Sequence, residues 1–271
     1  MGVSLHLCQA GPASCGACCG QYNFADHSRE AVTSELRRHT RALAEVPRTR
    51  EAFAEAARAL KAAAPSPLFP LVRTCPLLGF LDAAETRVGC LAHPLVTGGP
   101  DLRDCGVYTA DTCETFTCPS FIWLDDGLAG LVRDACADGY VYGLVVTDVE
   151  YVRGALDLLT RALCRPVTAE ELRQKALPEM AALLRLKADA PGRPAAGRVF
   201  GRFEHTGGEE PVLRTLDARA LGCAPAPEDT LVLCLGYAPD SSEALEAARA
   251  VVRGAVSSVV AVLEGEGTCR A

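Results

Sequence analysis

Residues 8–24 read CQAGPASCGACCGQYNF, placing four cysteines and three glycines in one short run. Glycine beside a thiol lets the backbone turn tightly around an ion. Cys15 and Cys18 stand two residues apart, a spacing at which a tight turn brings both sulfurs to the same side of one metal. Cys19 adds a third thiol at once. Adjacent side chains point apart, so Cys19 is expected to serve a second ion or a different iron of one cluster. A thioredoxin-type redox pair is disfavoured. That motif follows a strand and opens a helix, whereas Gly11-Pro12-Ala13-Ser14 precedes Cys15.

Fourteen cysteines occur in 271 residues, and the clustered ones continue at Cys75, Cys90, Cys105, Cys113 and Cys118. His93 follows Cys90 by three positions, giving a mixed pair. Cys75 and Cys118 each precede proline, which fixes the turn beside the sulfur and removes a backbone donor. A Cys-Pro step also closes the bacterial ferredoxin ligand run. Met1–Cys8 has neither a charged leader nor a long apolar stretch, so no secretory signal is legible. No stretch is apolar enough to span a bilayer. The chain is expected to be cytoplasmic, where thiols stay reduced and a cysteine cluster reads as a metal site rather than a disulfide scaffold. With Lys+Arg 27 against Asp+Glu 34, the net charge is −7. That balance gives no footprint for nucleic acid.

The motifs occur in the order Cys8, Cys15-Gly16-Ala17-Cys18-Cys19, Cys75-Pro76-Leu77-Leu78, Gly89-Cys90-Leu91-Ala92-His93-Pro94 and Cys113-Glu114-Thr115-Phe116-Thr117-Cys118-Pro119-Ser120. In this order they resemble the CxxCxxCC family of zinc- or iron-chelating proteins, whose relatives include the flagellin lysine N-methylases. The resemblance covers roughly residues 8–124 and nothing beyond residue 125. It implies a metal bound through Cys15, Cys18, Cys19, Cys75, Cys90, Cys113, Cys118 and His93, with Cys8 and Cys105 as secondary candidates. The family often spaces its first two cysteines two residues apart; here six residues separate Cys8 from Cys15. Many members also carry an arginine-proline step after the Cys90-like position, where this chain has His93-Pro94.

Outside the cysteines the pattern is mostly helical. Val32, Leu36 and Leu43, then Phe53, Ala57 and Leu60, keep helical spacing on either side of Pro47 over residues 28–64. Leu128, Leu131, Val132, Ala135 and Cys136 mark a further helix, with Gly139 as its expected stop. Tyr140–Val146 reads either as a strand or as a buried helix lead-in. Thr147 and Thr168, each followed three residues on by glutamate, read as helix caps, with a break near Pro178. Residues 188–197 read as a linker. Arg198–Glu204 and Thr230–Gly236 read as strands, and Ser242–Leu263 as a final amphipathic helix.

The expected fold is mainly α with a minor β part. An irregular, metal-bound, cysteine-rich N-terminal half (residues 1–125) packs with a helical segment (126–190) and a small α/β segment (198–271). Seven or eight ligands exceed the need of one tetrahedral zinc, and their irregular spacing favours an iron–sulfur cluster of the 4Fe-4S type over Zn2+. The functional expectation is electron or group transfer, as an oxidoreductase or a methyltransferase-like protein. The alternatives are a structural zinc module that recognises a partner, or metal storage or sensing. The partner, whether protein or small molecule, is not legible. Cys136, Cys164, Cys223, Cys234 and Cys269 are set apart as core or free thiols.

Overall fold

The computed structural model describes residues 7–9, 11–136, 138–194 and 197–265; Cys269 lies outside them. The architecture is mainly α with two small antiparallel sheets. Side-chain caps open most of the helices. Ser28 accepts from Ala31 N–H to start α1 (Arg29–Ala44), and Thr49 accepts from Ala52 N–H to start α2 (Arg50–Ala62). Such caps satisfy backbone donors that a helix start leaves open. The hairpin β1 (Leu78–Phe80) and β2 (Val88–Cys90) follows, in the register Leu78 to Cys90 and Phe80 to Val88. Three short helices then span the irregular stretch: α3 (Pro94–Thr97), α4 (Ala110–Thr115) and α5 (Pro119–Trp123).

The second half is a helical cluster. Asp125 caps α6 (Asp126–Ala135), and Thr168 caps α9 (Ala169–Lys175) as expected. Between them lie α7 (Gly139–Val146) and α8 (Val149–Leu163), and α10 (Leu177–Asp189) begins at the Pro178 break. The strands β3 (Val199–Phe200), β4 (Phe203–Glu204) and β5 (Val212–Leu213) form one three-stranded sheet. The chain closes with α11 (Asp229–Cys234) and α12 (Ser242–Gly265), α10 packing against α6, α7, α9 and α12. Among the described residues, no helix is long and apolar enough to cross a membrane.

Four local readings are corrected. Thr230–Gly236 is a helix rather than a strand: Leu231, Val232 and Cys234 are buried within one turn and a half, and burial on every side erases the periodicity that separates helix from strand. Tyr140–Val146, read as either a strand or a buried helix lead-in, is the helix. Gly139 opens α7 instead of ending α6, because Asp138 accepts from Val141 N–H and caps it. The cap of α8 is Asp148, which accepts from Tyr151 N–H, while the Thr147 hydroxyl donates to Gly143 O and completes α7. The linker reading also changes, since Arg193 donates to Lys187 O and Ala188 O and ties residues 190–194 to the end of α10.

Two hydrophobic cores result. The larger joins residues of the cysteine loop (Ala13, Cys15, Tyr22) to Leu131, Tyr151, Leu184 and Val252, so the N-terminal loop is built into the helical half. The smaller lies under α1 and α2, around Leu43, Phe53, Leu60, Cys75 and Leu77. Tyr22 fastens the loop to α7 by donating to Tyr140 O at 2.8 Å. Gly143 makes room for it, because a Cβ at residue 143 would fall 2.0 Å from the Tyr22 hydroxyl. Gly143→Ala is therefore expected to destabilise by about 1–3 kcal/mol. Gly254→Ala, on an exposed face of α12 with nothing near its Cβ, is expected to stabilise by about 0.5–1 kcal/mol. Urea-unfolding midpoints of the two variants check both signs.

Helix α1 is held to β1 by a buried histidine. His39 Nδ1 lies 2.8 Å from Leu78 O, and Nε2 lies 3.2 Å from the Glu35 carboxylate, which also pairs with Arg38. Burial lowers the His39 pKa below its ordinary 6.5 despite these acceptors. Burial also lowers that of His27. The unfolded chain then binds more protons than the folded one once pH falls below about 6.5. Stability contributed by neutral His39 is present above that pH and lost as pH falls toward the depressed folded value. Unfolding midpoints between pH 7.5 and 5 should decline, and His39→Gln should flatten part of that slope.

Candidate metal centre

The turn that carries Cys15, Cys18 and Cys19 is built by backbone contacts. Ala17–Cys19 forms one turn of 3-10 helix, closed by Gly20 at φ 82°. Only glycine fits there, since φ is left-handed and a Cβ would lie 2.4 Å from Arg73 O. That approach lets Cys75 N–H donate to Cys19 O at 2.8 Å. A second tie lies alongside: the Ser14 hydroxyl donates to Val88 O at 2.8 Å and accepts from Val88 N–H at 2.6 Å. Cys8 joins the turn because Cys15 N–H donates to Cys8 O at 3.0 Å. The hairpin register then presents Cys90 beside Leu78. Cys113 lies on α4, and Cys118 stands at the N-cap of α5 just before Pro119.

The thiols gather into one neighbourhood. Burial pushes the Cys15 thiol well up, and Cys18, Cys8 and Cys118 add repulsion. Burial raises Cys8 to about 11, again with Cys18 and Cys118 as charged neighbours. A hydrogen bond to Cys18 and then burial push Cys19 up, with Cys75 and Cys90 adding repulsion. Burial takes Cys90 to about 12, with Cys75 and Cys113 close enough to contribute. Cys113 is raised by its partial burial and then by Cys75. Cys8, Cys15 and Cys118 on one side, and Cys19, Cys75, Cys90 and Cys113 on the other, thus lie near one another, with Cys18 acting on members of both. Cys18 and Cys113 are exposed, while Cys15 and Cys75 are buried. Among the described residues, no three of these side chains already converge in a geometry that holds an ion.

Two sequence candidates stand apart. His93 caps α3 through Nδ1, which accepts from Leu95 N–H at 3.2 Å, and its charged neighbours are Asp101 and Glu114 rather than a thiol. The Cys105 thiol donates to Arg50 O at 3.5 Å, and its charged neighbours are Arg50, Asp104 and Glu51. Cys136 and Cys234 are buried in the larger core. Arg103 is a residue the sequence did not flag. Its guanidinium pairs with Asp101 at 2.7 Å and Glu114 at 2.8 Å, anchors α4, and brings a positive charge toward Cys90 and Cys113. No local pattern announces it, because Glu114 is eleven positions away.

No family model, curated protein or solved structure matches the chain.

The Cys18–Cys19 pair has a consequence in the metal-free, reduced protein. A hydrogen bond from Cys19 lowers the Cys18 thiol, so exposed Cys18 carries more thiolate near neutral pH than an ordinary cysteine does. Iodoacetamide is expected to alkylate Cys18 ahead of Cys15 and Cys90, at a rate rising at lower pH than that of an ordinary thiol. Cys19→Ala should move that rise toward the ordinary value of 9.0. Mass-spectrometric mapping of the labelled peptides reads the order directly.

Proposed function

We propose that the chain is an iron–sulfur protein of the CxxCxxCC type, its thiols holding 4Fe-4S chemistry in support of electron or group transfer. The observation that supports this reading is the gathering of eight thiols from three separate stretches, 8–19, 75–90 and 113–118, into one neighbourhood. Four thiolates are what a cubane cluster takes from protein. The residues that would hold the group are drawn from Cys8, Cys15, Cys18, Cys19, Cys75, Cys90, Cys113 and Cys118. A cluster held this way supplies one-electron transfer, tuned by burial and by nearby charge such as Arg103. The exposure of Cys18 and Cys113 suits a centre that exchanges electrons or groups with something outside the protein.

Structural zinc is the second reading, favoured by the same count. Four thiolates close a tetrahedral zinc site and leave no open position. Metal analysis of anaerobically purified protein separates the two. Iron and sulfide in matching amounts, with broad visible absorption, are expected; one or two zinc ions without sulfide would replace the cluster reading. On the same samples, Cys18→Ser and Cys19→Ser should lower metal content, whereas Cys105→Ser and Cys234→Ser should leave it unchanged. Stripping the metal under reducing conditions should lower Tm, because binding free energy at such a site is also folding free energy. An unchanged Tm would count against both readings.

A further inference from the structure

A cavity of about 330 Å³ lies beside α5, which contributes Pro119, Ser120 and Trp123 to its lining. That volume is within the range of small-molecule sites. Its lining combines buried donors with exposed rings. Lys187 is 93% buried by side chain, and its ammonium reaches Asp148 at 2.7 Å and Cys234 O at 2.6 Å. The same ammonium lies 5.5 Å from the Tyr151 ring centroid. Ser120 is only 2% exposed and lines the same space.

The charge balance sets the sign of the ligand. Asp148 is fully engaged: Oδ1 accepts from Tyr151 N–H and faces the Cys234 thiol, and Oδ2 meets Lys187. The Lys187 charge is matched by it. That leaves Arg202, Arg153 and the start of α8 against Glu150. Arg202 sits in the tight turn between β3 and β4, and its charge acts on the Cys234 thiol, so it leans over the cavity floor. In a chain of net charge −7, this concavity carries a positive excess. The rings define the rest. Trp123 from α5 and Phe203 from β4 line the space while 55% and 41% exposed, and the Arg153 guanidinium over the Trp123 ring, also bonded to Trp123 O, fixes that wall.

We propose that this cavity binds a planar aromatic anion, its acidic group taken by Ser120, Lys187 and Arg202 and its ring laid against Trp123 and Phe203. The site does not depend on which metal the thiols hold.

Trp123 is the sole tryptophan and therefore an internal reporter. The probe is 8-anilinonaphthalene-1-sulfonate, titrated into the full-length protein with metal content measured on the same sample. Saturable quenching of Trp123 with sensitised probe emission is expected, weakened about tenfold in Arg202→Gln, the scale of one charge-assisted contact. Arg202 lies on a surface turn, so helix content and Tm should be unchanged. Iodide should quench Trp123 more than caesium does, and Arg202→Gln should narrow the difference. Probe binding that Arg202→Gln leaves unchanged, or equal quenching by iodide and caesium, would overturn the proposal. Inorganic phosphate displacing the probe at similar concentration would overturn its aromatic part. Loss of metal with probe binding intact would count against the cluster reading and leave this one standing.

Discussion

The hydrogen bond from Cys75 N–H to Cys19 O, made possible by the bare Cα of Gly20, is the constraint on which the cysteine arrangement depends. It joins two stretches separated by the whole of α1 and α2. Once Gly20 lies against Arg73 O, the Cys18–Cys19 step is held beside Cys75. The ladder of Ser14 and Val88, with Arg87 reaching back to Gly11 O, extends the seam and fixes the hairpin against the loop. Helix α1 then supports the hairpin from behind through His39. None of these ties requires a metal. Ordinary backbone bonding thus brings the cysteine stretches side by side, and an ion would still have to draw the thiols into one geometry.

That arrangement has an electrostatic cost without a cation. Several acids crowded into a half-buried volume are held neutral by desolvation and by one another, which is why most of the clustered thiols are pushed above their ordinary range. Cys18 is the exception, because Cys19 gives it a hydrogen bond and solvent reaches it. A divalent or cluster cation would remove the repulsion and turn the crowding into ligation. Arg103 supplies a weaker version of that compensation on the Cys90 and Cys113 side, where Asp101 and Glu114 hold it in place.

Much of the helical framework was legible because amphipathic stripes and capping residues are local signals. The stripe from Val32 to Leu43, the cap at Thr168 and the long stripe from Leu245 to Val259 all read through directly. The strand reading of Leu231–Leu235 and the open choice at Tyr140–Val146 share one cause: both helices are mostly buried, so period 2 and period 3.6 look alike, and at Tyr140–Val146 the cap at Asp138 carried the information instead. At the site, sequence spacing named the clustered thiols but not their grouping. Which cysteine sides with which depends on Gly20 and the β1–β2 register, both of them long-range facts. His93 stands at ligand spacing from Cys90, and its Nδ1 also caps α3 ahead of Pro94, a role its spacing does not announce.

Helix α5 connects the two chemical regions of the molecule. Cys118 stands at its first position, Pro119 fixes the turn that follows, and Ser120 and Trp123 face the cavity one turn later. The Arg153 bond to Trp123 O ties the end of this short helix to α8, whose own start is capped by Asp148 at the cavity floor. A five-residue helix is too short to hold its shape alone, so its position is set by the Arg153 bond to Trp123 O at one end and by the turn at Cys118 and Pro119 at the other.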